Sequence, residues 1–267
     1  MAEPTLSVLI PTKNSEKHIK SCVESVLSIA DEIIVLDSYS EDDTISIVKS
    51  FEKTEVVQSS FNGFGALRRE LLSLASSDWV LFLDSDEVVP SDLASEIDQI
   101  ITSGSTASYR IPRKSKIFGE WMFEPGKGPL RLGRRTDFSI SSEAYVHEII
   151  QTESVVESTS EFMIHYNYSS VSEYVTKMNK YTSLEALQIT EEGNSVSLIR
   201  AIFNSVMMFG YYLILRRTIL KGMPGITYAI LSGFYEIIVY FKYNELIQKQ
   251  KDNPDSWRQD WISEATK

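Results

Sequence analysis

The sequence predicts an α/β fold: a mixed, mainly parallel sheet with helices on both faces, followed by a helical extension at the carboxyl end. Three observations predict it. Short apolar runs of strand length alternate with helix-periodic segments from Leu6 to Ile101. Several of those runs end in Pro or Asp, as buried strands do where they meet a loop. From residue 196 the alternation gives way to a long apolar block with few charges.

The elements follow in order. Leu6–Pro11 is a short apolar strand, and Ser15–Ile29 carries Ile19, Val23, Val26 and Leu27 at helical spacing. Glu32–Asp37 reads as a second buried strand, Ser38–Asp43 as a polar loop and Thr44–Phe51 as a short helix. Glu55–Gln58 is a weaker third strand, and Phe64–Ala75 is a helix after a Gly-rich turn. Trp79–Leu83 is a fourth strand, running into Asp84-Ser85-Asp86-Glu87. A helix over Pro90–Ile101 starts with Pro near its first turn. Shorter strands follow at Ser108–Pro112, Leu130–Leu132, Tyr145–Ile150 and Phe162–Tyr166, with a mobile loop expected near 119–129. Tyr174–Ile189 is helical. The expected division is a catalytic domain over 1–195 (a nucleotide half, 1–104, and an acceptor half, 105–195), a basic apolar region over 196–251 and a polar tail over 252–267.

Composition narrows the function. The chain has 267 residues, 43% hydrophobic and 24% charged, with a net charge of −11. That is globular, and its acidity argues against a nucleic-acid partner. The single Cys22 excludes an intramolecular disulfide framework and a cysteine zinc site. Met1 to Thr5 shows no signal-peptide pattern, so a cytoplasmic location is expected. The charge is uneven. Residues 196–251 carry seven basic side chains against Glu236 and Glu245, although the remainder is acidic.

Asp84-Ser85-Asp86 is the chemical centre. In an extended segment positions i and i+2 face one way, so the two carboxylates can share one hard divalent cation. The plainer reading is an acidic turn near the positive end of the helix after Pro90. Pro11-Thr12-Lys13-Asn14 follows the first strand, and Asp37 ends the second, where a carboxylate can bind a ribose or a base; an Asx turn is the structural alternative. No GxGxxG follows the first strand and no GxxxxGK[ST] occurs, which disfavours a dinucleotide fold and a P-loop.

These segments together carry a resemblance. PTKN, VLDSYSEDDT, FNGFGALRRE and DWVLFLDSDE resemble family 2 glycosyltransferases of the GT-A fold. With RLGRRTDFSISSEAYVHE and MIHYNYSSVSEYVTKMNKY the chain resembles the group containing lipopolysaccharide inner-core glucosyltransferases. The resemblance implies an inverting, metal-dependent transfer from a nucleotide sugar, often UDP-linked. It places Pro11, Thr12, Asn14 and Asp37 around the nucleoside, and Arg68 near the nucleotide. Asp84 and Asp86, with Ser85 between them, would bind Mg²⁺ or Mn²⁺ and the diphosphate, and His165 is a candidate third ligand or a structural histidine. Leu67 and Arg69 depart from the pattern, standing where relatives often have Gln and Asn.

An acceptor hydroxyl needs a base, and Glu148 is the first candidate, with Glu87 second and His147 orienting Glu148 or binding acceptor. Arg131, Arg134 and Arg135 are candidates for phosphate groups of donor or acceptor, or for a solvated basic hairpin. The expected substrates are a UDP-hexose, most simply UDP-glucose, and a saccharide acceptor linked to lipid, such as lipopolysaccharide core. Other acceptors (polyprenyl phosphate, protein, exopolysaccharide), a nucleotidyltransferase and a non-catalytic sugar-nucleotide module are the alternatives. Val196–Leu215 and Gly225–Phe241 suit helices lying on the inner face of the cytoplasmic membrane; a homo-oligomer interface and true spanning are the other readings.

Overall fold

A computed structural model describes residues 3–61, 63–140, 150–254 and 256–266. The chain forms two compact units, one of Met1–Ser115 with Glu124–Asn167, the other of Lys116–Phe123 with Tyr168–Lys267.

The first unit opens with β1 (Leu6–Thr12), α1 (Ile19–Glu24), β2 (Glu32–Asp37), α2 (Thr44–Val48), β3 (Thr54–Gln58), α3 (Phe64–Leu74) and β4 (Trp79–Phe82). Then come β5 (Glu87–Val88), α4 (Ser91–Thr102), β6 (Ser108–Arg110) and β7 (Arg113–Ile117), whose last two residues belong, with β8 (Glu120–Trp121), to the second unit. The first unit resumes with β9 (Leu130–Arg134), β10 (Phe138–Ile140), β11 (Ile150–Thr152), β12 (Val156–Ser158) and β13 (Met163–Tyr168). Seven strands form the main sheet in the order β12-β6-β9-β4-β1-β2-β3. β3, β2, β1 and β4 are mutually parallel, and β9 runs antiparallel between β4 and β6. This is the mixed, mainly parallel α/β sheet expected from the sequence.

Its central strands β1, β2 and β4 are largely apolar because both faces are covered there. Val8, Ile10, Val35 and Leu81 point to one face with Ile19, Val23, Leu93 and Ile97 of α1 and α4. Leu9, Ile34, Val80 and Phe82 point to the other with Leu67 and Leu71 of α3. The chain order places β2 and β3 on one side of β1 and β4 on the other. The connections therefore reverse at β1, which puts the switch point of the sheet beyond the carboxyl ends of β1 and β4, where such sheets take their ligands.

Differences from expectation have local causes. Regular α-helix covers only Ile19–Glu24 of the expected Ser15–Ile29. Ser21 and Ser25 hydroxyls donate to the His18 and Cys22 carbonyls, and Val26 N–H bonds to Val23 O, so the helix tightens into three-residue turns. The 119–129 segment is not a bare loop, because β8 pairs with β7 there.

The second unit is helical: α5 (Val171–Glu191), α6 (Leu198–Gly210), α7 (Gly222–Asp252) and α8 (Trp257–Thr266). Ser170 caps α5 by accepting from Glu173 N–H, and Glu173 accepts back from Ser169 N–H. Tyr174 of α5 packs edge-on against Tyr228 of α7, and Tyr235 donates to Glu185 at 2.7 Å. α5 thus sides with the apolar helices, and the division between compact units falls at Tyr168 rather than at residue 195. Of the expected Val196–Leu215, the helix covers Leu198–Leu215, with a wider π turn over Tyr211–Leu215, and α7 starts just before Gly225 and runs well past Phe241 to Asp252.

Candidate active site

Three loops meet beyond the carboxyl ends of β1, β2 and β4. Asn14, with a left-handed backbone (φ 49°), ties the first two. Its N–H donates to Ser40 Oγ at 2.8 Å, and its Oδ1 accepts from Glu41 N–H at 2.9 Å. Asp37 is fully buried. It accepts from Ser40 N–H at 2.9 Å, from Ser40 Oγ at 2.5 Å and from Gln58 Nε2 at 3.2 Å. These bonds orient its carboxylate at the strand end, and α2 begins only at Thr44, so Asp37 does not open that helix. Among the described residues, Thr12 Oγ1 and Ser38 Oγ are buried without a hydrogen-bond partner. Orphaned hydroxyls are costly, and two of them on neighbouring strand ends are groups that a polar ligand could satisfy.

The acidic segment is a turn, not an extended run: Glu87 N–H donates to Asp84 O at 2.9 Å. Asp84 and Asp86 consequently do not face one way. Asp84 turns inward, with Arg68 Nη2 2.6 Å from Oδ1 and Arg131 Nη2 2.5 Å from Oδ2. Burial alone would raise its pKa, but the Arg131 and Arg68 guanidiniums outweigh it and hold the carboxyl well below the usual range. Asp86 lies on the other side of the turn, with His165 Nε2 3.4 Å from Oδ1. The antiparallel register of β13 on β5, with His165 opposite Glu87, brings that imidazole to the turn. Ser85 hydroxyl meets Ser15 hydroxyl at 2.9 Å, joining the turn to the loop after β1. None of these acids caps α4, whose first turn holds Asp92 instead.

Glu87 is fully buried beneath the turn. It accepts from Asp84 N–H at 2.9 Å, from Arg131 Nη2 at 3.2 Å and from Arg113 Nη1 at 3.3 Å. Those bonds make it a brace for Asp84, and its burial removes it from reach of an acceptor hydroxyl. Arg131 is 3% exposed and spent on Asp84 and Glu87. Arg134 and Arg135 are not brought to the site. Trp79 pairs with Arg134 in the β4–β9 ladder, which sets Arg134 at the opposite end of β4 from Asp84. There Arg134 donates to Ser105 O and Arg135 to Ser77 O. Arg68 is brought to the site, held from α3, whereas Arg69 faces solvent and Leu67 is core. Pro11 lies within β1 opposite Leu36, next to the loop. His147 and Glu148 lie outside the described residues. Arg113 is a site residue that the sequence reading missed; nothing in its local spacing marks it.

Asp86 and His165 supply a hard oxygen and an imidazole on adjoining elements, a donor set that suits a divalent ion completing its shell with phosphate oxygens and water. Asp84 fits less well, because both of its oxygens are bonded to guanidiniums. No cluster of three or more His, Cys, Asp or Glu side chains poised for a metal occurs among the described residues.

A glycosyltransferase of Rickettsia prowazekii is 27% identical over 261 residues, covering 92% of this chain and 89% of its own. The lipopolysaccharide core biosynthesis glycosyltransferase LpsC of Rhizobium meliloti is 25% identical over 262 residues, covering 94% and 96%. Among solved structures, glucosyl-3-phosphoglycerate synthase from Mycobacterium tuberculosis, in complex with Mn²⁺, UDP and phosphoglyceric acid, is 20% identical with a TM-score of 0.47, covering 73% and 81%. Residues 7–147, which span β1 to β10 and both acidic loops, match the glycosyl transferase family 2 domain, and the chain belongs to that family of glycosyltransferases.

Proposed function

We propose that the chain transfers a hexose, glucose in the simplest case, from a UDP-sugar to a saccharide acceptor linked to lipid, such as lipopolysaccharide core, with inversion at the anomeric carbon. The observation that carries this is the convergence of the Thr12–Asn14 loop, Asp37 and the Asp84–Asp86 turn at the switch point of the sheet. Family membership and the likeness to LpsC support the reaction class and the acceptor class.

In this reading Thr12, Ser38 and Asp37 receive the nucleoside, and Asn14 keeps their two loops in register. Arg68 and Arg131 fix Asp84 as an anion, and Glu87 and Arg113 hold that arrangement from beneath. Asp86 and His165 would hold Mg²⁺ or Mn²⁺, and Asp84 would contribute through the donor's ribose. Such an ion neutralises charge on the departing diphosphate. Glu148 is the proposed base, with His147 beside it. It takes the acceptor hydroxyl proton as that oxygen bonds to the anomeric carbon; the bond from that carbon to the phosphate oxygen breaks, and its electron pair leaves with UDP. The enzyme works at the inner face of the cytoplasmic membrane, where a soluble donor and an anchored acceptor meet.

The test is nucleotide release across UDP-, GDP- and dTDP-sugars with Mn²⁺, followed by acceptor trials. UDP release that requires metal and is lost in Asp86→Ala supports the reading. Preference for another nucleotide, or release of pyrophosphate, refutes it.

A further inference from the structure

α6 is built inside out. Its small residues Ala201 and Ser205 are buried, and Ser205 hydroxyl donates to Gly233 O of α7. A Cβ at Gly233 would meet Ser205 O and Phe209 Cβ at 3.1 Å each, so the two helices meet through small residues. The large apolar side chains point outward: Ile199 is 81% exposed, Phe203 63% and Val206 65%. Spaced by four and three, they form one stripe. The exposed apolar surface continues past the helix through Leu215 (73%), Leu220 (75%) and Met223 (71%). A helix that meets only water does the reverse, and an apolar patch of this extent marks a surface made for contact.

The charges around the stripe say what that contact is. No acidic residue occurs between Glu192 and Glu236, while Arg200, Arg216, Arg217 and Lys221 do. Arg217 takes a left-handed backbone (φ 55°) to turn the corner between the helices, and Arg216 is held 4.6 Å over the Phe123 ring. The corner is therefore cationic and ordered, beside an apolar face.

Resting on the membrane reading above, we propose that the surface from Ile199 to Met223 lies in the plane of an anionic lipid surface. Its apolar side chains enter the acyl boundary, and Arg200, Arg216, Arg217 and Lys221 sit among lipid phosphates. The alternative of crossing is open by length and composition, since Leu198–Leu215 and Thr218–Asp252 each qualify. Charge placement argues against it. A crossing hairpin would carry Arg216, Arg217 and Lys221 to the far side of the membrane, against the preference of such loops for the cytoplasmic side. It would also set Asn204 and Glu236, 3.3 Å apart, in hydrocarbon. Lying flat avoids both costs.

The test uses the full chain with vesicles of phosphatidylcholine, with and without phosphatidylglycerol. Sedimentation with the anionic vesicles alone, weakened by salt and released by alkaline carbonate, is expected. Leu215→Glu with Leu220→Glu, at two exposed positions, should lower partitioning at least about tenfold and leave UDP release unchanged. Cys22 is buried, so Leu220→Cys accepts a single fluorophore. Its emission should shift to the blue on anionic vesicles and be quenched by a headgroup-depth quencher. Unchanged partitioning of the double variant, or a label that stays in water, overturns the proposal. So does resistance to carbonate, which means spanning, or a dimer that the double variant dissociates while vesicle binding persists, which means a second copy covers the face. Absence of sugar-nucleotide turnover in the wild type would refute the enzymatic reading and leave the lipid result to stand or fall alone.

Discussion

Arg131→Met removes a guanidinium that is 3% exposed and shared between Asp84 and Glu87. At an effective dielectric of about 20, one charge pair near 3 Å is worth roughly 5 kcal/mol before desolvation. Desolvation of both partners cancels much of that, and removing one partner of a buried pair typically costs about 3–5 kcal/mol. The lower end applies here, because Asp84 keeps Arg68 at 2.6 Å and Glu87 keeps Arg113 at 3.3 Å. Met replaces most of the lost volume, so cavity formation adds little. A loss of about 3 kcal/mol lowers the melting temperature by roughly 6–12 °C for a unit of this size. Thermal unfolding of the metal-free protein, followed by circular dichroism, measures it. Glu87→Gln separates charge from shape, and a double-mutant cycle should give a coupling of at least about 1 kcal/mol. A melting temperature within about 2 °C of wild type for Arg131→Met would refute the reasoning.

Other perturbations separate the parts of the account. Asp86→Asn should reduce UDP-sugar turnover by at least about 100-fold with little change in melting temperature, since Asn keeps the shape of a side chain that is partly exposed; turnover within about threefold of wild type would count against its role. Glu32, partly buried at the amino end of β2, would have its pKa raised by desolvation, but the Ser7 hydroxyl and the Ser76 and Ser77 N–H groups lower it on balance. Its stabilising contribution is therefore present above the unfolded pKa of about 4.3 and is lost as pH falls through the depressed folded value. Urea titrations from about pH 6 down to pH 3 should show Glu32→Gln losing less stability than wild type across that limb. Gly128 (φ +69°) sits where a Cβ would run into the Ile111 carbonyl. Gly128→Ala should cost at least about 1–3 kcal/mol in chemical denaturation, and a neutral result would mean that the loop has an alternative path.

The sheet was legible because buried parallel strands need apolar residues on both faces, and Val8–Ile10, Ile33–Leu36 and Val80–Leu83 spell that out locally. The places of the acidic loops at the strand ends were legible, but the expectation that Asp84 and Asp86 face one way was not met, because the segment folds into a turn. What depends on distant pairing was not legible. The inward turn of Asp84 follows from Arg68 on α3 and Arg131 on β9, and Arg113 joins through Glu87. Arg134 and Arg135 resembled phosphate ligands by composition, yet the β4–β9 register sends them to the other end of the sheet. The helix over Ser15–Ile29 was overestimated because serine hydroxyls compete for helix carbonyls, an effect invisible to apolar spacing. The affiliation of α5 was likewise decided by packing of Tyr174 and Glu185 against α7.

Calorimetric titration of UDP into the protein, with and without Mn²⁺, tests the central claim most directly when wild type and Asp86→Asn are run together. Binding in the wild type should weaken at least about tenfold on metal removal, and the variant should bind weakly and equally in both conditions. Tight binding that ignores both metal and Asp86, or no UDP binding at all by the wild type, would contradict a metal-dependent UDP-sugar site at the switch point of the sheet.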